Sequence, residues 1–252
     1  MNLSADERLV GAYFLMEHKY YEQAEQEAKG AAAMPVPLDE ARLQRDVRVS
    51  IILGLLYGAQ NKDEPAAEAL AQAVTIAPRA NLGLWRTEAD LWAEVYWRRA
   101  RAADKKGDAP AAAKHVESLR QYTPAASDTA IEIVNWLKAS GRVKDGKDLF
   151  ERVYAASREQ IEATGGSDPT AMNDLAWLCA RCDERLNEAV ELANKAVAAK
   201  PENAAYLDTA AEANFKLGKR DEAIKLESKA LALRPEDEFM HKQVERFKGE
   251  KK

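Results

Sequence analysis

The chain contains 252 residues and carries a net charge of −5, from 42 acidic and 37 basic side chains. Its 48 alanines favour helix, and its low content of glycine (12) and proline (9) argues against a turn-rich all-β protein. The hydrophobic fraction of 46% excludes a disordered chain, the absence of a basic half argues against nucleic-acid binding, and no apolar run is long enough to predict a membrane span.

The first predicted element is a helix that begins just after Ser4. Ser4 and Glu7 have the spacing of a capping box, in which each side chain accepts a hydrogen bond from the other residue's backbone N–H. The same stretch lacks the cationic and apolar regions of a signal peptide. The two cysteines allow at most one disulfide, which favours a cytoplasmic location and leaves the redox compartment undecided.

The clearest internal pattern is a repeat in the C-terminal third. Residues 188–197 and 222–231 align at an offset of 34 residues, and Pro201 and Pro235 follow at the same distance. A 34-residue period with alanine and proline at fixed places resembles the tetratricopeptide repeat family, in particular its bacterial members. The resemblance implies an all-α protein in which antiparallel helix pairs stack into a right-handed superhelical α-solenoid.

About six helix pairs and a C-terminal capping helix are predicted along the chain. Two parts, 1–163 and 164–252, are expected to form one continuous solenoid with a break near 164–169. In the capping helix, Phe239, Val244 and Phe247 are expected to cover the last pair. The predicted repeats are 5–38, 47–80, 93–126, 127–160, 170–203 and 204–237, and the capping helix is 238–248.

Three extra segments separate some of the repeats. Segments 39–46 and 81–92 are predicted to lengthen the first helix of the pair that follows. Segment 161–169 contains Gly165 and Gly166 and then Pro169, which predicts a glycine stop after a long helix and a proline at the first position of the next one.

The only motif that suggests chemistry is the C-x-x-C formed by Cys179 and Cys182. A zinc site needs about four ligands, and the chain has no third cysteine. A redox pair favours a helix N-terminus, whereas this pair closes a predicted helix. No catalytic residue, metal ligand or cofactor is therefore predicted, and the chain is not expected to be an enzyme.

A candidate binding groove follows from the phase of the first helix in each pair. In proteins that this chain resembles, one face of these helices lines a groove that receives a peptide. The same phase places Ile131 and Asp208 on that face. The residues predicted to line the groove and bind the partner are Trp97, Arg101, Asn135, Lys138, Asn173, Trp177 and Arg181.

The leading hypothesis is a non-catalytic scaffold that binds a protein or peptide segment. Three cations recur on the predicted groove (Arg101, Lys138 and Arg181), which suggests an acidic partner segment. An Hsp70 or Hsp90 tail receptor is not expected, because Ile131 stands where such a carboxylate clamp needs a lysine. The alternatives are a peptide or small-ligand sensor, a recruiting fragment of a larger protein and, less favoured, a C-x-x-C redox protein.

Overall fold

The computed structural model describes residues 3–35, 40–81 and 86–249. This part of the chain contains thirteen α-helices and no strand, which confirms the all-α prediction. In chain order the helices are α1 (Ala5–Glu17), α2 (Tyr21–Ala33), α3 (Glu40–Ala59), α4 (Asp63–Ala80), α5 (Glu88–Lys105), α6 (Ala109–Leu119), α7 (Asp128–Ala139), α8 (Val143–Ala163), α9 (Pro169–Arg181), α10 (Leu186–Ala199), α11 (Ala204–Lys216), α12 (Arg220–Leu233) and α13 (Glu238–Lys248).

The first twelve helices form six pairs, and α13 is the predicted capping helix. The two helices of each pair pack against each other and are joined by a turn of three or four residues, so they run antiparallel. Within the described residues this is the predicted helical-repeat architecture.

The helices fall into two compact bodies: the N-terminal body, residues 1–124, holds α1 to α6, and the C-terminal body, residues 125–252, holds α7 to α13. The division predicted at residue 163 therefore falls inside the C-terminal body. The reason is that α8, which precedes that point, packs against α9, which follows it.

The extra segments lengthen helices largely as predicted. Helix α3 has 20 residues and begins at Glu40, and α8 has 21 residues and ends at Ala163. Gly165 and Gly166 then take positive φ angles, and α9 starts with Pro169 at its first position. Trp85, in the second segment, lies outside the described residues.

One glycine explains how closely the helices of a pair approach. A Cβ atom at Gly54 of α3 would lie 2.6 Å from the side chain of Leu70 in α4, a distance that real Cβ atoms do not adopt. Leu70 is fully buried, so the leucine has no room to withdraw. The small residue at this position of the repeat is thus a packing requirement.

The capping helix covers the last pair through a different set of residues from the predicted one. Phe247 is fully buried and lies 4.6 Å from the Phe215 ring, and Met240 packs against Leu207 of α11. Phe239 is 49% exposed, so its predicted covering role is wrong. The buried side chains of α13 are those of Met240, Gln243 and Phe247, whereas Phe239 lies in the first turn of the helix and stays half exposed.

Candidate functional site

A cavity of about 520 Å³ opens on one face of the C-terminal body. Its walls come from α7, α9 and α11, the first helices of three consecutive pairs, and from the capping helix α13. The lining residues are Asp128, Ile131, Glu132, Asn173, Trp177, Arg181, Ala205, Asp208, Thr209 and Phe239.

Helix α9 contributes Asn173, Trp177 and Arg181, the three predicted binding residues that the structure brings into one cavity. They are four residues apart, a spacing that keeps side chains on one face of a helix. The phase of the helix is set at its start, where the Asp168 side chain accepts hydrogen bonds from the backbone N–H groups of Thr170 and Ala171.

The indole of Trp177 is held in the cavity wall by contacts on two sides. Its Nε1–H donates to Oδ1 of Asp128 across 2.8 Å, and the Arg181 guanidinium lies 5.2 Å from the ring centre. The side chain is half-buried, which leaves part of the ring open to the cavity. This is the arrangement of an aromatic residue that could anchor a ligand.

Arg181 is paired with a carboxylate that is hidden from solvent. Its Nη1 lies 3.4 Å from Oε1 of Glu212, a residue with 0% exposure, and Arg246 of α13 pairs with the same carboxylate from the other side. Two cations therefore satisfy one buried negative charge, as a buried ion needs.

Behind the cavity wall lies a second pair of buried acidic residues. Asp208 is 9% exposed and Glu227 is 0% exposed, and the two carboxyl groups are close enough to shift each other's pKa. Burial raises the pKa of both groups, and the negative charge of Asp208 raises that of Glu227 further. Because the pKa of Glu227 is raised to about 9, Glu227 is the protonated member of the pair at neutral pH, and Asp208 is the member that lines the cavity.

Asn135 and Lys138 lie on α7 but do not line the cavity. Asn135 Nδ2 donates to the backbone carbonyl of Arg181 across 3.1 Å, and Lys138 Nζ donates to the Cys182 carbonyl and to Glu184, each across 2.8 Å. These contacts tie α7 to the C-terminal end of α9. Asn135 Nδ2 and Lys138 Nζ thus position the two helices, and a contact of these residues with a partner stays a prediction.

Trp97 and Arg101 belong to the N-terminal body. Trp97 is 2% exposed and lies between the guanidinium groups of Arg98 and Arg101, whose central carbons are 5.0 and 4.9 Å from the ring centre. Arg101 Nε also pairs with buried Asp63 at 3.4 Å. The prediction that Trp97 contacts a partner is corrected by this burial: the ring is part of the core.

The three cations that suggested an acidic partner all have carboxylate partners within the chain. Arg101 pairs with Asp63, Lys138 with Glu184, and Arg181 with Glu212. A cation that is neutralised internally attracts an external acid weakly. The electrostatic basis for an acidic segment is therefore absent from these three residues.

Two residues that line the cavity could not be predicted from the repeat pattern. Phe239 enters the cavity from the capping helix, whose packing the 34-residue template does not specify. Asp128 lies at the first position of α7, before the groove phase begins. The helical phase of α11 correctly predicted that Asp208 lies on the groove face. Its burial could not be predicted from α11 alone, because it depends on Glu227 of α12 and on α13.

The two cysteines are buried at the C-terminal end of α9. Cys179 is 0% exposed and Cys182 is 2% exposed, and burial raises the pKa of each thiol to about 12. Because the reactive form of cysteine is the thiolate, such thiols are poor nucleophiles at neutral pH. Among the described residues no group of three or more His, Cys, Asp or Glu side chains could hold a metal ion.

In the described part of the chain, no helix has both the length and the apolar character that a bilayer span requires.

No family model matches the sequence, and no curated protein matches it. A solved structure with similar architecture is TTC0263, a thermophilic TPR protein of Thermus thermophilus. The two sequences are 17% identical, and the aligned region covers 97% of this chain and 98% of that one, with a TM-score of 0.51. The chain has the tetratricopeptide-repeat fold. This fold generally serves as a non-catalytic scaffold.

Two further solved structures are similar over nearly their whole length. PilW, a type IV pilus biogenesis factor, is 15% identical, with 96% of this chain and 99% of that one covered and a TM-score of 0.43. A putative kinesin light chain with nearly identical TPR-like repeats, from Podospora anserina, is 17% identical, with 93% and 97% covered and a TM-score of 0.41.

Proposed function

We propose that the chain is a non-catalytic interaction scaffold that binds a segment of a partner protein in the cavity of the C-terminal body. The observation that carries the proposal is the position of the cavity, on the face formed by the first helices of three consecutive repeats and closed by α13. That face exposes part of the Trp177 ring and half of Phe239, two aromatic residues of the kind that anchor protein interfaces.

The chemistry of the wall favours binding over catalysis. The two cysteines lie outside the cavity lining, and burial raises their pKa values, which makes them poor nucleophiles. A volume of about 520 Å³ suits one or two side chains of a bound segment. An extended segment could continue along the open face on either side.

The test is a selection of binders from a library of random peptides, followed by affinity measurements on two matched variants. Ala205→Trp fills the cavity that Ala205 lines, whereas Ala198→Trp adds the same side chain to an exposed position of α10. Enriched peptides should bind the wild type and Ala198→Trp alike and lose affinity for Ala205→Trp.

Thermal melts of both variants establish that they are folded. Peptides that bind Ala205→Trp as well as the wild type, or a library from which nothing is enriched, would contradict the proposed function.

A further inference from the structure

Two residues that line the cavity, Asp208 and Asn173, each carry a buried acceptor atom with no donor. Oδ1 of Asp208 and Oδ1 of Asn173 are both buried, and neither receives a hydrogen bond from an N–H or hydroxyl group of the described residues. The amide nitrogen of Asn173 donates to Asp174 across 3.3 Å, whereas its amide oxygen accepts no hydrogen bond. Buried acceptors are normally satisfied, so a pair of them in one cavity calls for a ligand that brings N–H groups.

The formal charge around the cavity is negative. Asp128, Glu132 and Asp208 line it, and Arg181 is the one cation among the lining residues. Arg181 shares the Glu212 carboxylate with Arg246, and the three carboxylates Asp128, Asp208 and Glu212 still outnumber these two cations. A ligand that enters the cavity therefore meets an excess of negative charge, which favours a cation.

The protonation state of the Asp208 carboxyl depends on the charged and polar groups that surround it. Glu227 faces it from α12, Glu212 from its own helix and Gln243 from α13, while Asp237 and Arg246 lie farther out. Burial raises the pKa of Asp208 to about 6, whereas the pKa of Glu227 is raised further, to about 9. Asp208 is consequently the ionised member above neutral pH, and it is the member that lines the cavity.

The remaining surface fits the apolar part of a long basic side chain. Trp177 and Phe239 lie on the cavity wall with Ile131 and Thr209, and Phe239 is half exposed. Lysine and arginine carry a hydrocarbon stem that packs on aromatic rings and a cationic end that interacts with their faces.

We propose that the cavity receives a lysine or arginine side chain of the partner segment, whose cationic end pairs with Asp208 and donates to Asn173 while its stem packs against Trp177 and Phe239. This inference rests on the proposed function and specifies the chemistry of the partner. It replaces the acidic segment expected from the sequence, because the cations behind that expectation are paired internally.

The experiment uses the full chain and the peptide most strongly enriched from the random library. Its affinity is measured for the wild type, for Asp208→Asn, which keeps the shape and removes the charge, and for Asp221→Asn, which removes the same charge from an exposed site on α12. The peptide is also tested with each Lys or Arg replaced in turn by norleucine, a side chain of similar length without charge.

Enriched peptides should share a Lys or Arg. Replacing it, or using Asp208→Asn, should weaken binding by about tenfold or more, while Asp221→Asn changes affinity by less than about twofold. Enrichment of acidic or neutral peptides, or equal binding to Asp208→Asn, would overturn the inference and leave the proposed function standing. A library that yields no binder overturns both, and a melt of Asp208→Asn separates lost binding from lost folding.

Discussion

Trp177 donates its indole N–H to Asp128 across 2.8 Å, so a side chain of α9 is held by the first residue of α7 in the preceding helix pair. This bond fixes the ring in the wall of the cavity while part of it stays accessible. The proposed recognition of a partner and the packing of successive repeats thus depend on one side chain, and the variants below separate the two roles.

Removing the Trp177 ring should weaken partner binding far more than it weakens the fold. Trp177→Ala is expected to cost about 2 kcal/mol or more of binding free energy, because aromatic anchors dominate interfaces. The matched control is Trp136→Ala, which removes a half-buried ring of α7 that does not line the cavity. Titration of a selected peptide against both variants checks this, and equal losses for the two would contradict the anchor role.

The Asp208–Glu227 pair should make the protein less stable as pH rises. Burial and the charge of Asp208 raise the pKa of Glu227 to about 9, so between the ordinary carboxyl range, about 4 to 4.5, and that value the folded state binds more protons than the unfolded chain. The free energy of unfolding contributed by this pair therefore falls with increasing pH across that window.

Glu227→Gln should flatten this pH dependence and stabilise the protein by about 1–3 kcal/mol near pH 8, since the amide is neutral at every pH. Denaturant unfolding at several pH values from 5 to 9 measures it, with exposed Glu202→Gln as the control. A wild type that gains stability towards pH 9 relative to Glu227→Gln would show that the pair does not hold its proton.

Trp97 should behave as a core residue. Trp97→Ala is expected to lower the free energy of unfolding by about 3–5 kcal/mol, the usual cost of deleting a buried aromatic ring. The affinity of the selected peptide should be unchanged below the melting temperature, because the ring lies in the N-terminal body. Calorimetry measures the change in stability, and a peptide titration on the same sample measures the change in affinity. Lost affinity with an unchanged melting temperature would support the prediction from the sequence that Trp97 contacts the partner.

The two thiols should be nearly inert in the folded protein. Cys179 and Cys182 should react slowly with an aromatic disulfide reagent at neutral pH and rapidly after unfolding, because both are buried and their pKa values are raised to about 12. Replacing both by serine should lower stability by about 1–3 kcal/mol and change peptide affinity less than about threefold. Fast labelling of the native protein would contradict this.

Much of the fold was predictable because it depends on local periodicity. The 34-residue offset, the alanines at fixed places and the glycine stop before Pro169 are each properties of neighbouring residues, and they located the six helix pairs and the capping helix within a few residues. What periodicity could not supply was the compact division of the chain, because that depends on which helices pack together across the turns.

The candidate site was predictable only in part, for the same reason. The phase of α9 placed Asn173, Trp177 and Arg181 on one face, and all three line the cavity. The same phase could not show that Trp97 is covered or that Lys138 is paired with Glu184, since burial and ion pairing depend on side chains far away in the sequence.

Phe239 links the capping helix to the shape of the candidate cavity. Because the ring reaches the cavity from α13, the helix that covers the last pair also supplies part of the proposed binding surface. A chain lengthened by one more helix pair after α12 would put a repeat helix where α13 now lies and would lose this ring. Growth of the array by duplication, which leaves each existing pair intact, would therefore change what the protein recognises.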